Sequence, residues 1–220
     1  MNMHRVSDLV RRVGPGAAAL DVAYRAANRV TEMQLLKAMS LTMDTVDRRF
    51  LEQAGKLSWG FVGEEALLRA LGEGAGDDMD AAFVKAALAR GDRCFGAADG
   101  ELLASYGWYS TRPTPVTDDL LLRFDGAYAY MYKGYTLPEY RGKRLHGIGM
   151  ARAMAAHVAE GKRGLVSYVA ATNFASLRSC HRLGYRDLGW ILAVRVGGRI
   201  VTRASRSCQA FGFLVEPVAD

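Results

Sequence analysis

The chain has 220 residues, of which 50% are hydrophobic and 24% are charged. This length and composition are typical of one soluble domain, or one domain with an appended element, that buries a sizeable core. The formal net charge is +6 and the pI is about 9.3, which favours an acidic or phosphorylated ligand. The basic residues are spread along the chain and no nucleic-acid-binding motif is present, so we expect no nucleic-acid partner.

Cysteine usage and the N-terminal sequence indicate the cellular compartment. The three cysteines, Cys94, Cys180 and Cys208, are too few and too scattered for a disulfide framework or a zinc cluster, which favours a reducing cytoplasm and predicts no metal site. The first residues lack the apolar core and cleavage site of a signal peptide. No apolar run approaches the roughly 18 residues of a membrane span. We therefore expect a soluble, cytoplasmic protein.

Three segments before residue 93 are predicted to be helices. Residues 17–30 carry apolar side chains on one helical face, and residues 62–71 and 81–90 are also typical of helices. The glycine-rich, acidic stretch 72–80 predicts a loop, and its last residue, Asp80, is a suitable helix N-cap.

The segment 34–44 is ambiguous between strand and helix. Met39 and Leu41 alternate with polar residues, as in a strand with one buried face, but Leu35 and Leu36 interrupt the alternation. The sequence favours a strand here without deciding how it pairs.

After Arg93 the pattern changes to strands. Short segments rich in β-branched and aromatic residues, separated by Asp-Gly and Gly-Gly turn signals, predict strands at 94–98, 102–109, 120–124, 128–137, 164–171, 188–196 and 199–202. Helices are predicted at 150–160 and 174–183. Strands interleaved with helices predict an α/β or α+β fold with a mixed sheet.

The stretch Pro138–Gly149, with sequence PEYRGKRLHGIG, lies between a predicted strand and a predicted helix. Unpaired backbone N–H groups and the helix dipole make such a helix start suitable for phosphate. Arg141, Lys143 and Arg144 add cationic side chains to it. The stretch therefore predicts a site for a phosphorylated cofactor.

A second informative stretch runs from residue 172 to 185, with sequence TNFASLRSCHRLGY. Asn173 stands where a strand ends and a helix begins, so helix capping alone explains its type. Gly184 stands where that helix ends, as expected of a glycine in the left-handed conformation.

Together the two stretches resemble the GNAT superfamily of acyl-CoA-dependent N-acetyltransferases. PEYRGK followed by a helix start is similar to that family's pyrophosphate loop. Asn173 followed by Ser176, Leu183, Gly184 and Tyr185 is similar to its second cofactor motif. The resemblance covers about residues 90–196.

The resemblance implies a mixed, mostly antiparallel sheet flanked by helices. We place an N-terminal extension at residues 1–60, which would extend or cover the sheet or contribute to a homodimer, and the acyltransferase domain at residues 61–215. The implied activity is transfer of an acyl group from acetyl-CoA or another acyl-CoA to a small-molecule or peptide amine, by direct attack in a ternary complex. Two alternatives are a sugar or lipid-linked acceptor and a CoA-binding protein without catalysis.

The resemblance also implies which residues contact the cofactor: Arg141, Gly142, Lys143, Arg144, Leu145, His146, Gly147, Gly149, Asn173 and Ser176. Two registers of the family pattern Arg-x-x-Gly-x-Gly are open. If the pattern starts at Arg144, residues 144–149 match it at every position. A start at Arg141 keeps PEYRGK aligned and gives a normal separation to Asn173, but puts Arg144 and His146 at the usual glycines; we prefer it.

Further roles follow from the resemblance. The strand that ends near Leu137 would splay from its neighbour, and the backbone groups of Tyr135 and Leu137 would pair with the pantetheine arm and polarise the thioester carbonyl. Many family members place an acidic tyrosine seven residues after the motif asparagine. Cys180 takes that position here, either as the acid or as a small buried residue. Tyr130 and Tyr132 share a strand face, and we expect one to pack and the other to line the acceptor pocket. The base is left open.

Overall fold

The structure is a computed structural model that describes residues 10–11, 14–28, 31–53, 55–72 and 79–218. The end of the first predicted helix, at residues 29–30, and most of the predicted loop 72–80 lie outside the described residues. The helices are α1 (Pro15–Ala27), α2 (Arg49–Glu52), α3 (Glu64–Leu71), α4 (Ala81–Ala89), α5 (Leu145–Ala159), α6 (Phe174–Leu183) and α7 (Arg206–Phe211). The strands are β1 (Glu32–Thr42), β2 (Ser58–Val62), β3 (Arg93–Asp99), β4 (Leu102–Ser110), β5 (Thr114–Thr117), β6 (Leu120–Arg123), β7 (Tyr128–Thr136), β8 (Gly164–Ala170), β9 (Arg186–Val196), β10 (Arg199–Ala204) and β11 (Leu214–Pro217).

Eight strands form the main sheet in the order β10-β9-β1-β8-β7-β4-β3-β2. The β7–β8 pair is parallel, and the other neighbours are antiparallel. A second sheet has the order β11-β6-β5. The predicted mixed, mostly antiparallel sheet flanked by helices is confirmed.

The ambiguous segment is β1, an internal strand between β8 and β9. It buries side chains on both faces: Met39 and Leu41 pack in one core cluster, and Leu36 and Ala38 pack in another. A strand buried on both faces need not alternate, which explains the interruption at Leu35 and Leu36. The segment predicted as an N-terminal extension therefore contains an internal strand of the main sheet.

The two faces of the main sheet are covered differently. On one face α5 packs on β3, β4, β7 and β8, with Met150 and Met154 in the same cluster as Met131. On the other face α3 and α4 cover the β3–β4 side, and the small sheet packs against Tyr130 and Ile191. Neighbouring residues of a strand point to opposite faces, so Tyr130 and Met131 belong to different clusters.

Local sequence signals set several helix ends as predicted. The Asp80 carboxylate accepts a hydrogen bond from the Phe83 N–H at 2.7 Å, and the Asn173 side-chain oxygen accepts one from the Ser176 N–H at 3.1 Å. Gly184 ends α6 in the left-handed conformation, with φ of 110°. Other predicted boundaries differ from the structure. The helix predicted over residues 62–71 begins at Glu64, because residue 62 ends β2. The helix predicted from residue 150 begins at Leu145, so Gly147 and Gly149 lie inside it.

Candidate cofactor site

The site is built around a gap between the two parallel strands. β7 and β8 pair over three residues only, from Tyr128–Gly164 to Tyr130–Val166. The Ser167 hydroxyl then donates to the Met131 carbonyl at 2.8 Å. Beyond this bond β7 continues to Thr136 and β8 to Ala170 without pairing to each other. The predicted splay of this strand from its neighbour is therefore present.

An irregularity in β7 lies where the gap opens. Trp108 of β4 is opposite Lys133, whereas Tyr109 is opposite Met131, so Tyr132 is the extra residue of a β-bulge. A bulge bends its strand and increases the local twist. The bulge thus coincides with the point where β7 leaves β8.

The backbone groups that face the gap differ from those we predicted. The Leu137 N–H donates to the Ala104 carbonyl at 3.0 Å, and the Tyr135 carbonyl accepts from the Ser105 hydroxyl at 3.0 Å. Both predicted residues therefore turn their backbone toward β4. Because successive residues of a strand direct their backbone groups to opposite edges, Gly134 and Thr136 face the gap. The error was one residue of register along the strand.

The loop between β7 and α5 has two residues with positive φ. Gly142 has φ of 80°, and Arg144, the residue before α5, has φ of 60°. A positive φ is costly for any residue with a Cβ atom. Arg144 therefore stands at a position that favours glycine, and it is the fourth residue of the register that starts at Arg141. In the register that starts at Arg144, the two glycine positions of the pattern are Gly147 and Gly149, and both lie within α5.

The glycines inside α5 are explained by packing. A Cβ atom on Gly147 would lie 2.8 Å from Cε1 of Phe50, and one on Gly149 would lie 3.2 Å from Cζ3 of Trp59. Both aromatic rings come from the N-terminal part of the chain. Their close approach accounts for the glycines without a cofactor contact, although Gly147 also lines the cavity described next.

A cavity of about 630 Å³ opens at the start of α5. Three parts of the chain line it: Gly142, Arg144, His146 and Gly147 from the loop and α5; Ser179 and Arg182 from α6; and Asp47, Arg49, Phe50 and Gln53 from α2 and its flanks. Three arginines against one aspartate give the cavity a net positive charge. Together with the free N–H groups of the helix start, this donor set fits a phosphorylated ligand.

His146 connects the cavity to the gap in the sheet. Its ring lies against Gly134 of β7, where an added Cβ atom would be 3.0 Å from Nδ1. Burial lowers the pKa of His146 below its usual value, so the imidazole is neutral at pH 7. A neutral imidazole has one N–H donor to offer a ligand.

Neither a protein-family model nor a curated protein matches the sequence. Solved structures do match. A GCN5-related N-acetyltransferase from Sphaerobacter thermophilus has a TM-score of 0.52 and 12% identity, with 81% of this chain and 56% of that chain covered. The chain has a GNAT-like fold. A GNAT-family acetyltransferase from Colwellia psychrerythraea matches with a TM-score of 0.50 and 12% identity, covering 80% of this chain and 57% of that one. A Drosophila protein matches with a TM-score of 0.52 and 16% identity, covering 82% and 57%. The chain thus spans less than two thirds of the length of these structures.

Within the GNAT-like fold, the residues of the second predicted motif lie in two different environments. Asn173 and Ser176 cap α6, as described above. Cys180 is 9% exposed and packs in the core with Leu183 and Tyr185, and burial raises its pKa to about 11. Ser179 and Arg182, which we did not predict, are the α6 residues that line the cavity.

The two tyrosines of β7 also have different surroundings. Their rings stack at a centroid distance of 5.6 Å, but Tyr130 is 2% exposed and packs in the core. Tyr132 is half-buried, and its hydroxyl donates to Oδ2 of Asp92 at 2.9 Å. Asp92 is itself buried and receives a second hydrogen bond from Arg90 at 2.7 Å.

The sequence did not predict a role for Asp92 or the α2 segment, because both contact residues that are distant in the chain. Asp92 lies 40 residues from Tyr132, and the α2 segment is brought to α5 through β1. The short run Asp47-Arg48-Arg49-Phe50 is charged and aromatic, but nothing in it indicates which helix it contacts. Of the helices in the described part of the chain, none has the length and apolar character that crossing a bilayer requires.

Proposed function

We propose that this protein transfers an acetyl or other acyl group from acyl-CoA to an amine, by direct attack of the amine in a ternary complex. The observation that carries the proposal is the open edge of β7 leading to an arginine-lined cavity at the start of α5. A small-molecule or peptide amine in the cytoplasm is the acceptor class we propose.

The open edge of β7 would hold the extended part of the cofactor. Gly134 and Thr136 direct backbone groups to the gap, where an amide-containing chain can add to the strand by β-augmentation. The Thr136 carbonyl already accepts a hydrogen bond from Nε of Arg141 at 3.2 Å. We expect Arg141 to release this carbonyl when a ligand pairs with the strand.

The start of α5 would hold the diphosphate. The N–H groups of the loop and first helical turn are free of helical partners by position, and Arg144 and Lys143 are exposed beside them. The positive φ of Arg144 supports the register that begins at Arg141. When bound, acyl-CoA supplies an activated thioester for the amine to attack.

The proton of the attacking amine needs an acceptor. The Tyr132 hydroxyl, hydrogen-bonded to the Asp92 carboxylate, is the candidate, because Asp92 can take the tyrosine proton as the hydroxyl accepts one from the amine. A substitution of Tyr132 by Phe tests this role. We expect a lower rate of thiol release with little change in CoA affinity, and an unchanged rate would exclude the role.

A CoA-binding protein without catalysis is the second candidate, and the burial of Cys180 at the position of the family's acidic tyrosine favours it. Both candidates require CoA binding, which titration calorimetry with CoA and acetyl-CoA tests. Absence of binding would overturn both candidates. Thiol release from acetyl-CoA with a panel of amines then distinguishes them: release with any amine supports the transferase, whereas binding without release supports the non-catalytic protein.

A further inference from the structure

The cavity extends beyond the part that a diphosphate would use. Besides the loop and the start of α5, the α2 segment and α6 line it and contribute Arg49 and Arg182. CoA carries, besides its diphosphate, a 3′-phosphate with a charge of about −1.5 to −2 at neutral pH. If the start of α5 holds the diphosphate, two arginines remain for a second anion.

Asp47 forms an ion pair with Arg49, whose side chain is 87% exposed. Its carboxylate accepts from Nη2 of Arg49 at 2.6 Å and from Nε at 3.0 and 3.1 Å. The Arg49 guanidinium keeps the pKa of Asp47 below its usual value, and Arg144 contributes to the same effect. The two N–H donors of Nη1 take no part in this pairing, so they are available to a ligand.

The α2 wall is fixed to both helices of the cavity. Its Phe50 ring packs on Gly147 of α5, and Nη2 of Arg152, also on α5, donates to the Gln53 carbonyl at 2.8 Å. On the other side the Asp47 N–H donates to the Leu183 carbonyl of α6 at 2.9 Å. These contacts fix the segment that carries Arg49 beside α6, so that Arg49 and Arg182 line the same cavity.

We propose that Arg49 and Arg182 bind the 3′-phosphate of CoA and so discriminate CoA from 3′-dephospho-CoA. This inference rests on the proposed function and adds to it the recognition of the nucleotide end of the cofactor. The N-terminal segment would then belong to the cofactor site. Charge-assisted hydrogen bonds are stronger than neutral ones, and a planar guanidinium suits phosphate oxygens.

The test uses titration calorimetry to compare CoA with 3′-dephospho-CoA on the unmodified protein and on arginine variants. We expect the unmodified protein to bind CoA at least about 10-fold more tightly than dephospho-CoA. Arg182→Gln and Arg49→Gln should each weaken CoA binding by about 10-fold and leave dephospho-CoA binding within about twofold. Arg199→Gln, on an exposed strand away from the cavity, removes the same charge and should change neither affinity.

The outcomes separate this inference from the proposed function. If CoA does not bind, the proposed function fails. If CoA and dephospho-CoA bind equally well, the acyltransferase proposal stands and the 3′-phosphate site is overturned. If a variant loses affinity for both ligands equally, that arginine does not recognise the 3′-phosphate. Thermal unfolding of each variant establishes that it is folded, and Arg182→Lys, which retains the charge, should recover part of the discrimination.

Discussion

The imidazole of His146 lies directly against the backbone of Gly134. His146 is on the first turn of α5 and Gly134 is on the open edge of β7. The contact leaves no room for a side chain at residue 134, since an added Cβ atom would collide with the ring and would also lie 2.9 Å from Cε of Met131. This contact sets the spacing between the gap in the sheet and the N-terminal end of α5.

Gly134→Ala should therefore destabilise the fold. Its φ is not positive, so the cost is steric and should be about 1–3 kcal/mol, as for an overpacked core. Urea unfolding measures it. His146→Ala in the same chain should recover most of the loss, because the end of the Met131 side chain can move. An equal loss in the single and double variants would contradict the contact.

The helices and strands that carry the candidate site could be predicted because their signals are local. Asn173 and Gly184 mark the ends of one helix, and the order strand, basic loop, helix needs no knowledge of distant residues. The pairing of β1 with β8 and β9 and the contact of Phe50 with Gly147 join parts of the chain that are far apart in sequence. No local pattern reports such contacts. The glycines of α5 thus suggested a cofactor loop although their packing partners lie in the N-terminal segment.

The backbone of Arg144 provides a second test. Arg144→Gly and Arg144→Ala both remove the charge, but only glycine accepts φ of 60° without strain. We expect the Gly variant to be more stable than the Ala variant by about 1 kcal/mol in urea unfolding. Both should lose CoA affinity to the same extent in calorimetry. If the Ala variant is as stable as the Gly variant, the residue does not hold a left-handed conformation in solution.

Cys180→Ala tests the proton donor. The thiol is buried in the core and its pKa is raised to about 11, so it is a weak acid held away from solvent. We expect an unchanged rate of thiol release from acetyl-CoA and a loss of about 1 kcal/mol in stability from the missing sulfur. Cys208→Ala, another buried cysteine, serves as the matched control. A rate that falls for Cys180→Ala alone would restore the thiol as the acid.

His157 should make the stability depend on pH. Its ring is 1% exposed and packs between Phe61 and Tyr109, at centroid distances of 5.5 Å from each. Burial lowers its pKa from the usual 6.5 to about 4. Below pH 6.5 the unfolded chain binds a proton that the folded chain excludes, so stability falls as the pH drops from about 6.5 to 4. The full loss is about 3 kcal/mol.

The contribution of His157 can be isolated with His157→Phe, which keeps an aromatic ring and removes the titration. His146, whose pKa is also lowered, and the Arg93–Glu160 ion pair at 2.7 Å are present in both proteins. Their effects therefore largely cancel in the difference between the two unfolding free energies. As the pH falls from 6.5 to 4, we expect the Phe variant to become more stable relative to the unmodified protein. A difference that is constant over this range would mean that His157 takes up its proton equally well in the folded and unfolded states.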